Sequence, residues 1–110
     1  INNKKILKKN VNFYIIENNK TICFIKNPNF QFYKKFLHLP SNLDKEFLSK
    51  LNTEKKVNYR SFNYSITNNL FKVKVYFIEH SKIYDDNYIW IKRKNLKSTA
   101  LPTLFKKILF

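Results

Sequence analysis

Few side chains in this sequence have the types and spacing needed for acid–base or metal chemistry. Its 110 residues include 7 Asp plus Glu and 2 His, and general acid–base catalysis needs such groups placed together. Asp85 and Asp86 are adjacent in a polar stretch, where neighbouring side chains point apart and turn formation is the ordinary role. His38 stands between Leu37 and Leu39-Pro40, and His80 ends an alternating run; both read as packing or surface residues. Cys23 is the lone cysteine and lies inside the apolar run Thr21–Ile25, so neither a disulfide nor a thiolate metal cluster can form within the chain. It reads as a small buried hydrophobe in a reducing compartment. Cations are another matter. The 22 Lys plus Arg leave a net charge of +15. They fall at Lys4, Lys5, Lys8 and Lys9, at Lys72 and Lys74, at Lys92, Arg93, Lys94 and Lys97, and at Lys106 and Lys107. A polyanionic partner follows from that charge. Arg occurs only as Arg60 and Arg93, so the chemistry is that of point charges on phosphates more than of bidentate base reading. The abundance of Lys, Asn, Ile, Phe and Tyr also fits a strongly AT-biased coding sequence.

The composition excludes other chemistries. There is no Gly, so the glycine-rich loops that cradle phosphates or dinucleotides have no residue suited to positive φ or to close backbone approach. There is no Met either, so the sequence reads as a segment of a longer protein. No apolar stretch approaches the roughly 20 residues of a membrane-spanning helix, and the basic start lacks the apolar segment of a signal peptide. The 11 Phe, 7 Tyr and single Trp provide apolar area for one core.

The elements that must hold these residues can be read in outline. Residues 1–10, INNKKILKKN, read as an interdomain linker, and residues 11–110 as one domain. In NFYIIENNKTICFIK, two apolar runs flank Asn18-Asn19, the pattern of a hairpin. Phe36–Leu39 is a short extended piece halted by Pro40. Ser41 or Asn42 caps a helix expected over Leu43–Leu51, with Leu43, Phe47, Leu48 and Leu51 on one stripe. Between Val57 and Glu79, two alternating runs flank Asn68-Asn69. A loop over 80–87 leads to a strand at Tyr88–Ile91, a basic stretch at Lys92–Lys97, and a final helix opened by Pro102. The order β-β-(β)-α-β-β-β-α indicates an α+β domain with a mainly antiparallel or mixed sheet and two or three helices.

Four segments together resemble the C-terminal, Nudix-like domain of MutY-type adenine DNA glycosylases. These are FYIIENNKTICFIKNP, YKKFLHLPSN, SITNNLFKVKVYF and IWIKRKNLKSTALPTLFKKIL, which cover residues 11–110 in the family's order. The resemblance implies a lesion-recognition domain in base excision repair. Such a domain reads 8-oxoguanine opposite adenine while an upstream domain excises the adenine. It places Ile66 where the family has a wedging aromatic, Thr67 where a Ser or Thr contacts the oxidised base, and Asn68 where the family has His. Lys72, Lys74, Lys92, Arg93 and Lys94 are the expected phosphate contacts. No catalytic residue, metal or cofactor is expected in this chain, although the upstream domain of such a protein can carry an iron–sulfur cluster. The expected partners are that upstream domain and double-stranded DNA with 8-oxoguanine opposite adenine, with no membrane. The implied location is the cytoplasm, at a bacterial nucleoid, or an organelle. Two other readings stand beside it. A basic RNA- or ribosome-binding module needs only the charge and size. A Nudix hydrolase needs a run of metal-binding Glu on the helix, where this sequence offers Asp44 and Glu46 and no leading Gly.

Overall fold

The strand at the centre of the sheet is polar where it begins and apolar on both faces further along. In the computed structural model, which describes residues 5–49, 56–79 and 87–110, that strand is β1, Leu7–Asn18. Phe13, Tyr14, Ile15 and Ile16 are all buried, because both faces of β1 are covered here. β2 (Thr21–Ile25) returns antiparallel through a two-residue turn, with Asn18 opposite Thr21. The turn residues are Asn19 and Lys20, at φ 49° and 65°, one place later than the sequence indicated. Positive φ at both central positions matches the right-handed twist of the strands.

β3 (Val57–Ile66) and β4 (Asn69–Glu79) form the second hairpin, and β5 is Tyr88–Lys92. The strand order is β3-β4-β1-β2-β5. β1 runs parallel to β4 from Leu7↔Asn69 to Glu17↔Glu79, which makes the sheet mixed. This pairing corrects the linker boundary: Leu7–Asn10 are strand residues, held by the edge of β4. The piece expected at Phe36–Leu39 contributes only a bridge from His38 to Ile25, and Ser41 makes another to Phe13.

Helices cover opposite faces of the sheet. α2 (Thr103–Leu109), with Pro102 at its N-cap, packs Leu104, Phe105 and Ile108 onto Val11, Phe13, Ile15, Val73 and Val75. Phe13 is the hub of that layer. Its ring meets Phe30 at 5.3 Å and 78° and Phe105 at 5.2 Å and 87°, the edge-on geometry that aromatic quadrupoles favour. α1 is described over Lys45–Ser49, beginning two residues later than expected, and Leu51 lies outside the described residues. Its Phe47 packs on Tyr88 at 4.8 Å and closes a second, smaller layer with Tyr14, Ile16, Cys23, Ile25 and Ile78. Leu43, expected on the same stripe, is exposed, because the chain at Ser41–Asp44 is a turn and the helix begins after it.

That turn is fixed by one carboxylate. Asp44 Oδ2 accepts the Ser41 amide at 2.9 Å and the Ser41 hydroxyl at 3.2 Å, while its Oδ1 accepts the Asn29 amide at 2.9 Å. Cys23 is fully buried and its thiol is pushed up to about 12 by desolvation, as expected of a packing residue. His38 is also fully buried, between Phe30 and Phe105. Its Nε2 donates to the Tyr33 carbonyl at 2.7 Å, and its Nδ1 has no hydrogen-bond partner. Desolvation holds His38 below its ordinary value, against the opposing pull of the Tyr33 carbonyl and Asp44.

Candidate nucleic-acid interface

The three residues that the sequence placed at a lesion contact fall on the β3–β4 turn, and the structure treats them unequally. Ile66 is 8% exposed and joins the core layer under α2, so it is not an outward wedge. The alternation of β3 turns Phe62, Tyr64 and Ile66 inward together. Thr67 and Asn68 form the exposed tip. Thr67 alone of the pair takes a positive φ, 53°. This is the sign pattern of a type II′ turn, whose first central position is usually Gly. A β-branched residue held there is strained.

The tip is tied on both sides. Thr67 Oγ1 donates to the Ile66 carbonyl at 2.7 Å, and Asn69 Nδ2 donates to Thr67 Oγ1 at 3.3 Å. Because β1 is parallel to β4, the start of β1 lies beside the tip. The Asn68 carbonyl accepts the Leu7 amide at 2.9 Å, and Asn68 Nδ2 donates to the Lys5 carbonyl at 3.2 Å. Lys5, Ile6, Leu7, Thr67 and Asn68 line a shallow depression. The exposed apolar side chains near the tip are therefore Ile6 at 65% and Leu7 at 41%, not Ile66.

The expected phosphate contacts do not form one group. Lys72 and Lys74 are exposed on β4, on the face away from α2 and near the hairpin tip. Lys92, Arg93 and Lys94 lie at the end of β5 and the start of a 3-10 turn over Arg93–Ser98. That turn is level with Glu17, to which the Arg93 guanidinium is bonded at 2.8 and 2.9 Å. Lys72 and Lys74 pair with Asn10 and Asn12 on β1, seven and five residues from Glu17, so the two basic groups are separated by roughly 17–23 Å of strand. Sequence proximity could not show this, because it depends on which strands pair.

Other residues join Lys72 and Lys74. On β3, Ser61, Asn63 and Ser65 pair with Lys74, Lys72 and Leu70; on β1, Asn12, Asn10 and Lys8 pair with the same three. Their alternation with apolar neighbours was visible in β3, but the contribution of β1 was hidden inside the supposed linker. The candidate acidic site is weaker. Asp44 is committed to Ser41 and Asn29, and Glu46 is exposed on α1. Among the described residues no three His, Cys, Asp or Glu side chains come together as metal ligands do. His80, Asp85 and Asp86 lie outside the described residues. No described helix is long and apolar enough to cross a membrane.

No protein-family model and no curated protein matches the sequence. Solved structures do match, over nearly the whole chain. The ORF135 protein of E. coli aligns at a TM-score of 0.65 with 9% identity, covering 94% of this chain and 87% of that one. The NUDIX domain of Shewanella oneidensis NrtR, solved with ADP ribose, aligns at 0.64 with 11% identity, over 96% and 85% of the two chains. The MutT protein of Methanosarcina mazei aligns at 0.58 with 16% identity, over 97% and 94%. The chain has the Nudix fold. At such identities the fold is what is shared.

Proposed function

We propose that this Nudix-fold domain is a reader of oxidised guanine, the C-terminal domain of a MutY-type adenine DNA glycosylase. In this reading, excision of the facing adenine belongs to a separate catalytic domain. The observation that carries it is the hydrogen-bond state of Thr67. Its hydroxyl has two acceptors within the turn, the Ile66 carbonyl at 2.7 Å and Asn68 Oδ1 at 3.3 Å, and with its proton held by either one the oxygen faces a base as an acceptor. Guanine presents an acceptor at N7, which Thr67 Oγ1 would repel. 8-Oxoguanine carries a proton at N7 and would donate it. The turn thus holds an acceptor, preorganised by strain and by its two tethers, where the two bases differ in sign.

Asn68 supplies amide groups beside it, and Ile66 supports the turn from below. One thing favours a reader over a triphosphate hydrolase: Asp44 is occupied in a structural turn, bonded to Ser41 and Asn29. The test is a competition at fixed salt between a duplex with 8-oxoguanine opposite adenine and the matched undamaged duplex. One such contact is worth about 1–3 kcal/mol, or roughly 5- to 150-fold. Wild type should prefer the lesion by a factor in that range. Thr67→Ala should lose the preference while keeping its affinity for undamaged DNA. Equal affinity of wild type for both duplexes, or equal losses in the variant, rejects the reading.

A further inference from the structure

One face of the sheet is only half covered. Among the described residues, α1 shields the end where Tyr14, Ile16, Tyr76 and Ile78 lie, and no element covers the other end, whose side chains are mostly exposed. There the side chains of three neighbouring strands form a grid: Ser61, Asn63 and Ser65 on β3; Leu70, Lys72 and Lys74 on β4; and Lys8, Asn10 and Asn12 on β1. Lys8, Asn10, Ser61, Asn63, Ser65, Lys72 and Lys74 are all exposed. Eight of the nine side chains are Lys, Asn or Ser, and the grid holds no carboxylate. Glu17 and Glu79 are paired at the far end of β1 and β4. Lys56 adds its charge at the edge of the grid, with Nζ 5.7 Å from the centroids of both the Tyr14 and Tyr76 rings, which stack on each other.

We propose that this open half-face docks the phosphate backbone of duplex DNA. The argument is charge complementarity with matching spacing. Lys72 and Lys74 are two residues apart on one strand, about 6.6 Å, and Lys8 lies diagonal to Lys72 on the next, about 7–8 Å away. Rigid strands thus present three ammonium groups at the scale of neighbouring phosphates. The amides and hydroxyls between them are the neutral donors that proteins commonly set against phosphate and sugar oxygens. The grid begins at the level of the Thr67–Asn68 tip, so a backbone lying on it would lead to that turn. The proposal takes from the preceding reading only that the partner is DNA, and needs no lesion.

The experiment is titration of the 110-residue chain with an undamaged labelled duplex at several salt concentrations, read by fluorescence anisotropy. The grid variant Lys8→Gln/Lys72→Gln/Lys74→Gln is compared with Lys26→Gln/Lys34→Gln/Lys35→Gln, which removes the same charge from exposed positions off the grid. The slope of log affinity against log salt falls by about 0.9 for each phosphate that is no longer neutralised. The grid variant should therefore lose two to three in slope and at least tenfold in affinity, with the off-grid variant close to wild type. Equal losses in both variants, or a grid variant that binds as wild type does, overturn the proposal. So does wild type binding a single-stranded RNA of equal charge, or phosphatidylserine vesicles, in preference to the duplex. An 8-oxoguanine duplex in the same series separates the two readings. If wild type shows no lesion preference yet the grid variant alone loses affinity, the reader function fails and the docking face stands.

Discussion

His38 shows what a buried imidazole costs when only one of its nitrogens is bonded. Nε2 serves the Tyr33 carbonyl and Nδ1 faces apolar surroundings, so protonation would place an unpaired charge among Phe30 and Phe105. Its folded value is lowered, while in the unfolded chain it titrates near 6.5. The folded state therefore binds fewer protons than the unfolded one, and stability rises with pH across that window. The His38 contribution is complete above about pH 6.5 and is lost as pH falls toward the folded value. Thermal melts at pH 7 and pH 5 should show a larger drop for wild type than for His38→Gln, and equal drops would remove His38 from the account. The sequence left His38 as a packing or surface residue, and its burial decides for packing. Its missing second partner was not legible, because the Phe30–Leu39 segment has no period from which to read its path.

The hairpins are the elements that most plainly feel the lack of glycine. Asn19, Lys20, Tyr33 and Thr67 all hold positive φ, at a cost of roughly 1–2 kcal/mol for an ordinary L-residue in that region. Asn tolerates it best, so the excess falls on the other three. Lys20→Gly converts the β1–β2 turn to Asn-Gly, the preferred pair for this geometry, and should stabilise the domain by about 0.5–1 kcal/mol after the entropy of glycine is deducted. Asn19→Gly should do less. Urea unfolding of the two variants tests the order, and a Lys20→Gly variant less stable than wild type would refute it. Both hairpins were legible because alternation and Asn pairs are local signals. The turn at Thr67 was read one residue late, since Asn68-Asn69 is the better turn pair by composition while the register of β3 on β4 decides the outcome. The parallel pairing of β1 with β4 left no local trace, and so Lys8 and Asn10 were assigned to a linker.

For the molecule as a whole, charge and fold pull apart. A net charge of +15 on 110 residues repels itself in the compact state, and salt screens that repulsion over a Debye length of about 10 Å at 0.1 M. Raising salt from 20 to 300 mM should therefore increase the melting temperature. Relief of about 1 kcal/mol would appear as 4–8 °C in a domain near this size. A melting temperature that falls with salt would mean that attractive pairs such as Arg93–Glu17 outweigh the repulsion. DNA binding should move the opposite way over the same range, weakening as salt rises.

The two hydrogen bonds that join the Thr67–Asn68 turn to Lys5 and Leu7 also have a mechanical meaning. They lie where β1 begins, so tension applied along the backbone through Lys5 loads the turn before it reaches the rest of the β1–β4 ladder. Displacing Lys5 would therefore strain the turn that presents Thr67 before it disturbed the later pairs of the ladder.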